Sequence, residues 1–440
     1  MENFKSGRWP MTNHHHIQQS MKCKSLICSL VVLAASIVAY SQKEYTINEI
    51  LNSIQAANPL GRMYDAEIRS MDEAAKGAKS WMPPDVGAGF FMTPYNPQRW
   101  KKMSDMEPGM GSFMISFQQM FPNSKKLNAD AAYMHSMSGS AREQKGTALN
   151  EIYAQAKKAY YEWVIIEKKQ AVLNENEKIL EFMIKNAEIR YKNGLEKISA
   201  YYKAKAALGN IQNMRVMLEN ESIQRRITLN TLMFRDKDSA FTIDTVLLIK
   251  DFSIFVFDSS MFAASRTDIR AIDREIVTNQ LKQETERFNL KPQFGIRYEH
   301  MVGFGAQPQQ FTLMGMVRLP FVSWASRMSK ANIESYRWRT DALINQRQMM
   351  LNEALGMATG MRAELETKKK QVRLYENNII PALRNNYKTM MLGYEQNTEE
   401  LFMLFDAWEA LNMMQNEYLD QLQQLQTMQV ELERILQIRN

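Results

Sequence analysis

The sequence predicts a mainly α protein with some β, in which long antiparallel helix hairpins are joined by short pairs of amphipathic strands and the whole plan is laid out twice. Three observations carry this. No proline occurs from Asn123 to Lys291, and Pro122 to Gly194 as one helix would extend on the order of 105 Å at the usual rise. Residues Phe113, Ile115 and Phe117 alternate with Met114, Ser116 and Gln118, the period of a strand with one apolar face. A strand ending in proline and followed by a long helix then occurs twice, as GSFMISFQQMFPNSKK from Gly111 and as QFTLMGMVRLPFVSWASRMSK from Gln310. The first runs 72 residues from Pro122 to Gly194 and the second 73 from Pro320 to Gly393, which points to an internal duplication.

Taken in order, residues 21–41 hold lysines at 22 and 24, an apolar run from Leu26 to Ala39, and Ala39-x-Ser41. That is the build of a secretory signal peptide cleaved after Ser41, too short for a good spanning helix; the alternative is a membrane anchor with a cytoplasmic tail. Residues 1–20 read as an upstream extension, with Met21 the better start. Both cysteines, Cys23 and Cys28, lie in this leader, so the mature chain has no disulfide and no thiolate metal site. Removing Lys5, Arg8, Lys22, Lys24 and Glu2 leaves 51 basic against 47 acidic residues, or +4. That balance, with basic residues scattered among acids, gives no reason to invoke nucleic acid.

Residues 46–80 read as a helix capped by Thr46 and interrupted near Asn58, Pro59 and Gly61. A first hairpin, 85–121, follows, with Val86, Ala88 and Phe90 on one face and a loop rich in Pro, Asn, Asp and Met. The long helix has Leu149, Ile152, Ala156, Tyr160, Trp163 and Val164 at the spacing of one buried stripe. Between Arg235 and Ser260 the helical pattern lapses, and Phe241, Ile243, Val246 to Ile249 and Phe252 to Phe257 suggest one or two short strands.

The second hairpin, 292–319, sets Phe294, Ile296 and Tyr298 against Gly295, Arg297 and Glu299, and Phe311, Leu313, Val317 and Leu319 against Thr312, Met314, Met316 and Arg318. Charges on one face and large apolar groups on the other fit a barrel wall with lipid outside and water inside; a hairpin packed on a soluble core is the alternative. Pro381 should bend or break the second long helix. In the last helix Leu404, Trp408, Leu411, Tyr418, Leu422, Leu425 and Leu432 keep a heptad rhythm, with Gln415 and Gln429 in the polar gaps. The chain thus divides into a leader (1–41), a first repeat (42–235), a middle segment (236–261) and a second repeat (262–440).

This order resembles the TolC-like outer-membrane efflux proteins over essentially all of the mature chain. The most specific pieces are AEIRYKNGLEKISAYYKAKAAL, 187–208, and LGYEQNTEELFMLFDAWEAL, 392–411. Each looks like the family's glycine at a helix turn followed by a helix with an Ala and a Leu four apart, Ala204 and Leu208 in the first. In the second, Ala407 and Leu411 come about four residues later than a turn at Gly393 predicts. The resemblance implies a homotrimer whose four strands per chain close a 12-stranded barrel in the outer membrane, continued by a periplasmic α-barrel. Closure with copies of itself would also remove the open edges that two hairpins leave in lipid. The implied partners are a periplasmic adaptor docking on Asn193, Gly194, Leu195, Gly393 and Tyr394, and an inner-membrane pump.

The resemblance further implies an acidic ring at the tunnel entrance. Asp406 takes one position of that ring, Met403 stands where the family has a second aspartate, and Glu399 and Glu400 lie nearer the tip as substitutes; helix-start residues in solvent are the equal alternative for these two. Arg297, Glu299 and Arg318 are the expected lumen charges.

Thirty methionines remain after Met1, Met11 and Met21 are set aside. Most sit at helical spacing as core filler. Met103, Met106 and Met110 lie in the first hairpin loop, and Met114, Met314 and Met316 would face the lumen; thioethers suit Cu(I) and Ag(I). On family grounds the Met-rich loop also resembles the copper- and silver-exporting branch. No phosphate loop, HExxH or nucleophile elbow occurs, and the mature chain has only His135 and His300, so the sequence points to no enzyme and no cofactor. The expected function is a passive exit duct of a tripartite efflux system, carrying Cu(I), Ag(I) or other cations. The alternatives are a drug or peptide duct of the same build, or a soluble periplasmic coiled-coil scaffold.

Overall fold

The computed structural model describes residues 44–101, 104 and 106–438; the leader reading and Met103 lie outside them. The chain opens with β1 (Glu44–Tyr45), α1 (Ile47–Ala57) and α2 (Pro59–Lys76). Thr46 closes a capping box with Glu49, its own N–H lying 3.0 Å from the carboxylate. The expected interruption at Asn58 is a clean break, because Asn58 caps α2 through Leu60 N–H at 2.9 Å and Pro59 supplies the first helical residue.

Strands β2 (Asp85–Phe91) and β3 (Ser112–Phe121) form the first hairpin, and α3 (Ser124–Lys192) leaves it under an Asn123 cap. Its 69 residues span about 100 Å. Helix α4 (Ile198–Leu232) returns alongside it. The middle of the chain contributes β4 (Thr242–Ile243), which pairs in parallel with β1, and α5 (Ser259–Ser265). Of the one or two short strands expected between Arg235 and Ser260, one forms, β4; Val246–Phe257 runs as irregular chain over the helices. Its backbone is satisfied by side chains, with Gln429 accepting from Lys250 N–H at 2.9 Å and donating to the Leu248 carbonyl at 3.2 Å.

The second half repeats the plan with α6 (Thr267–Asn289), β5 (Gln293–Gly303), β6 (Gln310–Arg318), α7 (Ser323–Leu374), α8 (Ile380–Glu395) and α9 (Leu401–Leu436). Pro381 does not break the ladder. A five-residue π-helical turn, Tyr375–Ile379, joins α7 to α8 and absorbs the proline's missing N–H by widening the helix.

The four long strands form one antiparallel sheet in the order β2-β3-β5-β6. Helix α3 is the hub on which α2, α4, α6 and α9 pack, while α7 packs on α6 and α9. The buried stripe read from the sequence is present, with Ala156, Tyr160, Trp163 and Val164 all buried. Here α3 packs against α1, α4 and the middle segment, whose Asp244 carbonyl accepts from the Tyr160 hydroxyl at 2.7 Å. Burial pushes the Tyr160 phenol well above its ordinary pKa. The same zone holds a buried Lys157–Glu433 pair at 2.5 Å, which the partly exposed Lys250 joins at 2.7 Å. Along α9 the heptad seam is buried, and Gln415 and Gln429 are buried with it; Tyr418 is only half-buried, Leu419 taking the inward place.

Candidate functional site

The molecule has a strand end and a turn end, separated by the length of α3. At the turn end the chain reverses twice, by the same geometry. The carbonyls of Arg190 and Tyr191 accept from Leu195 N–H (2.9 Å) and Gly194 N–H (3.0 Å); those of Gly393 and Tyr394 accept from Thr398 N–H (2.9 Å) and Asn397 N–H (3.2 Å). Both are Schellman motifs with a left-handed residue, Gly194 at φ +72° and Asn397 at φ +59°. This corrects the placing of the second turn at Gly393. Gly393 is inside α8, and the turn belongs to Asn397, whose short amide side chain tolerates the left-handed region. Pro320 to Asn397 is then 77 residues, five more than the first half.

With Gly194 set against Asn397, the late arrival of Ala407 and Leu411 disappears, since each stands ten and fourteen residues past its turn, as Ala204 and Leu208 do. The same register sets Lys203 against Asp406, and these two equivalent residues pair with each other at 3.1 Å. The Lys203 ammonium also lies 4.2 Å from the ring centroids of Phe402 and Phe405. Asp406 therefore carries its own counter-charge, which no reading of the second repeat alone could find.

The two reversals have opposite signs. Over 190–206, Arg190, Lys192, Lys197, Lys203 and Lys205 stand against Glu196, a net +4; over 393–409, Glu395, Glu399, Glu400, Asp406 and Glu409 stand alone, a net −5. Arg190 joins the turns: it donates to the Tyr394 carbonyl at 3.2 Å, lies 4.6 Å from that ring's centroid and approaches Glu196 at 4.0 Å. Burial pushes the Tyr394 phenol up, with Arg190 pulling the other way. Gly194, Leu195, Asn397, Thr398, Glu399 and Glu400 open onto one groove of about 400 Å³. Asn193 caps α3 beside it, and Met403 is exposed one turn into α9.

At the strand end, cross-strand partners sort the side chains by face. One face carries Val86, Phe117, Tyr298 and Leu313 in one row and Ala88, Ile115, His300 and Phe311 in another. The opposite face carries Ser116, Glu299 and Thr312, then Gln118, Arg297 and Met314, then Arg318. Arg297 and Glu299 form an ion pair on it. The apolar face is bare, Val86 being 71% and Phe311 70% exposed, and among the described residues no strand covers the outer edge of β2 or β6.

Aromatic side chains collect at both ends of this sheet. Phe90, Trp100 and Phe304 cluster at one end, Trp100 and Phe304 stacked at 5.3 Å; Trp81 meets Phe121 at 6.0 Å at the other, near exposed Phe321 and Trp324. The sequence reading missed these bands, although the tryptophans flanking each hairpin were the available signal. The first loop is also folded onto the second hairpin, Gly109 N–H donating to the Gly305 carbonyl at 2.9 Å and Phe304 N–H to that of Gly111 at 2.9 Å. A Cβ at Gly109 would lie 2.2 Å from the Trp100 carbonyl oxygen, so only glycine allows this approach.

The structure does not bring the five described methionines of the expected six together. Met106 is almost fully exposed; Met114, Met314 and Met316 share the polar face with Arg297, but Met314 lies four residues along β6 from Gln310, about 13 Å away. Met110 instead joins Met92 and Met301 around a cavity beside the first loop.

A family model described as outer membrane efflux protein matches residues 50–233. No curated protein matches the sequence. Among solved structures, the outer-membrane channel OprN is similar with a TM-score of 0.71 at 13% identity, over 89% of each chain. The outer membrane protein VceC from Vibrio cholerae gives 0.69 at 15% identity, over 89% of this chain and 95% of its own. CusC gives 0.72 at 12%, over 90% and 92%. At these identities the likeness is one of fold.

Proposed function

We propose that this chain, an outer membrane efflux protein with the fold of the TolC-like channels, is the passive exit duct of a three-part export system. It does no chemistry on what it carries. One observation supports this above the others: a four-stranded sheet with two open edges, one bare apolar face and one charged face is continuous with helices about 100 Å long. In lipid such edges need strands from other chains, and closure by three copies gives twelve strands around a polar lumen. The helices then carry the lumen through the periplasm, and the exposed turn residues Asn193, Gly194, Leu195, Asn397 and Thr398 are the surface an adaptor protein meets, with Gly393 inside α8 and Tyr394 buried behind them. The boundary between repeats falls in the middle segment, 236–261, which belts the helices.

What the duct carries is set mainly by the inner-membrane pump. Polar lumen charges such as Arg297, Glu299 and Arg318 suit any hydrated solute, so ions, drugs and peptides all fit the bore. The test is direct. The full-length chain should extract from outer membranes as a trimer and form discrete conducting steps in a planar bilayer. A monomer recovered from the soluble periplasm, silent in the bilayer, would sink the duct and leave a helical scaffold.

A further inference from the structure

At the outer end of the sheet, a cavity of about 220 Å³ opens between the first loop and the second hairpin. Its donors are unusual. Met92, Met110 and Met301 all line it, whereas 33 methionines in 440 residues would place about one in a ten-residue lining. Met301 pairs across the strands with Met114, on the polar face that also carries Arg297 and Glu299. The neighbouring row on that face is Phe91, Ser112 and Gly303, and all three line the cavity. Met92 is held at φ +47°, a left-handed conformation an unbranched residue rarely adopts.

Among the described residues no carboxylate, imidazole, thiol, ammonium or guanidinium lines the cavity. A hard divalent cation would find no anionic oxygen there, and an anion no positive charge. Soft neutral thioethers, with the amides of Gln307 and Gln310 beside them, match a soft monovalent cation. We propose that Met92, Met110 and Met301 form a Cu(I)- and Ag(I)-class binding site at the outer mouth, with Met114 as an adjoining donor. That an exported ion reaches the site from within rests on the duct reading; the binding itself does not.

The probe is silver nitrate titrated calorimetrically into the purified full-length protein in chloride-free detergent buffer, with silver-edge X-ray absorption to read the ligands. The expected result is one Ag(I) per chain with sulfur neighbours. Met301→Leu should weaken uptake by about tenfold or more, and Met92→Leu/Met110→Leu/Met301→Leu should abolish it; leucine keeps the volume, so the fold survives. Met214→Leu/Met217→Leu, exposed on α4, should bind as the parent does. No uptake by the parent, or unchanged uptake by the triple variant, overturns the site. A silver-binding protein that forms no pore would remove the duct and keep the site; a conducting trimer indifferent to silver would do the reverse.

Discussion

Lys203 and Asp406 stand at equivalent positions of the two repeats, and each is the other's nearest opposite charge at the turn end. Their side chains are 36% and 48% exposed, so the pair contributes roughly 0–1 kcal/mol to the fold. Its effect should show in ion selectivity. Asp406→Ala leaves Lys203 unbalanced and should shift the reversal potential in a KCl gradient toward anions; Lys203→Ala should shift it toward cations, and neither should change the melting temperature. Shifts of the same sign, or none, would show that the pair does not border the conducting path. The glycine signal that misplaced the second turn is instructive at this scale. Glycine is the commonest left-handed residue, but asparagine also serves, and the four-residue lateness of Ala407 and Leu411 already recorded the difference.

Among the elements, the long helices were legible because proline absence and 3.6-residue periodicity act locally, and nothing tertiary needed to override them. The π turn was not. Pro381 announces a defect, but whether the ladder breaks, kinks or widens depends on how α8 is held against α9. A π turn is a helix with one residue too many, so removing Asn377 should convert it to regular helix and keep the downstream register. Deleting Glu364 from regular α7 turns everything after it by about 100°. Thermal unfolding should find the Asn377 deletion close to the parent and the Glu364 deletion severely destabilised or unfolded. Equal damage from both would mean that the widened turn is itself required. Gln429 makes a similar point. As a polar gap in a heptad seam it was visible in the sequence, but its task, anchoring the middle segment through the Lys250 N–H and Leu248 carbonyl, depends on chain 180 residues away.

For the whole molecule, the alternation of the strands made both faces of the sheet legible, because a period of two leaves no freedom about which residues share a side. What lies beyond the sheet edges is a property of several chains and is not written in any one strand. In the proposed trimer, adjacent residues of β6 should behave oppositely. Leu313→Arg, near the middle of β6, puts a charge on the apolar face and should cost up to about 2–4 kcal/mol at mid-membrane depth, read as loss of heat-resistant trimer in the membrane fraction. Thr312→Arg faces Glu299 across the strands and should assemble normally while lowering cation preference. Equal tolerance of both would remove lipid from the apolar face.

The two reversals have one more consequence, for how the halves fit each other. The two halves share one plan of elements but carry +4 and −5 over equivalent stretches. A chain made of the first half twice would set lysine against lysine where Lys203 now meets Asp406, and the second half twice would set carboxylate against carboxylate. Built on one plan, the halves are complementary and not alike at this end: each supplies the other's counter-charge.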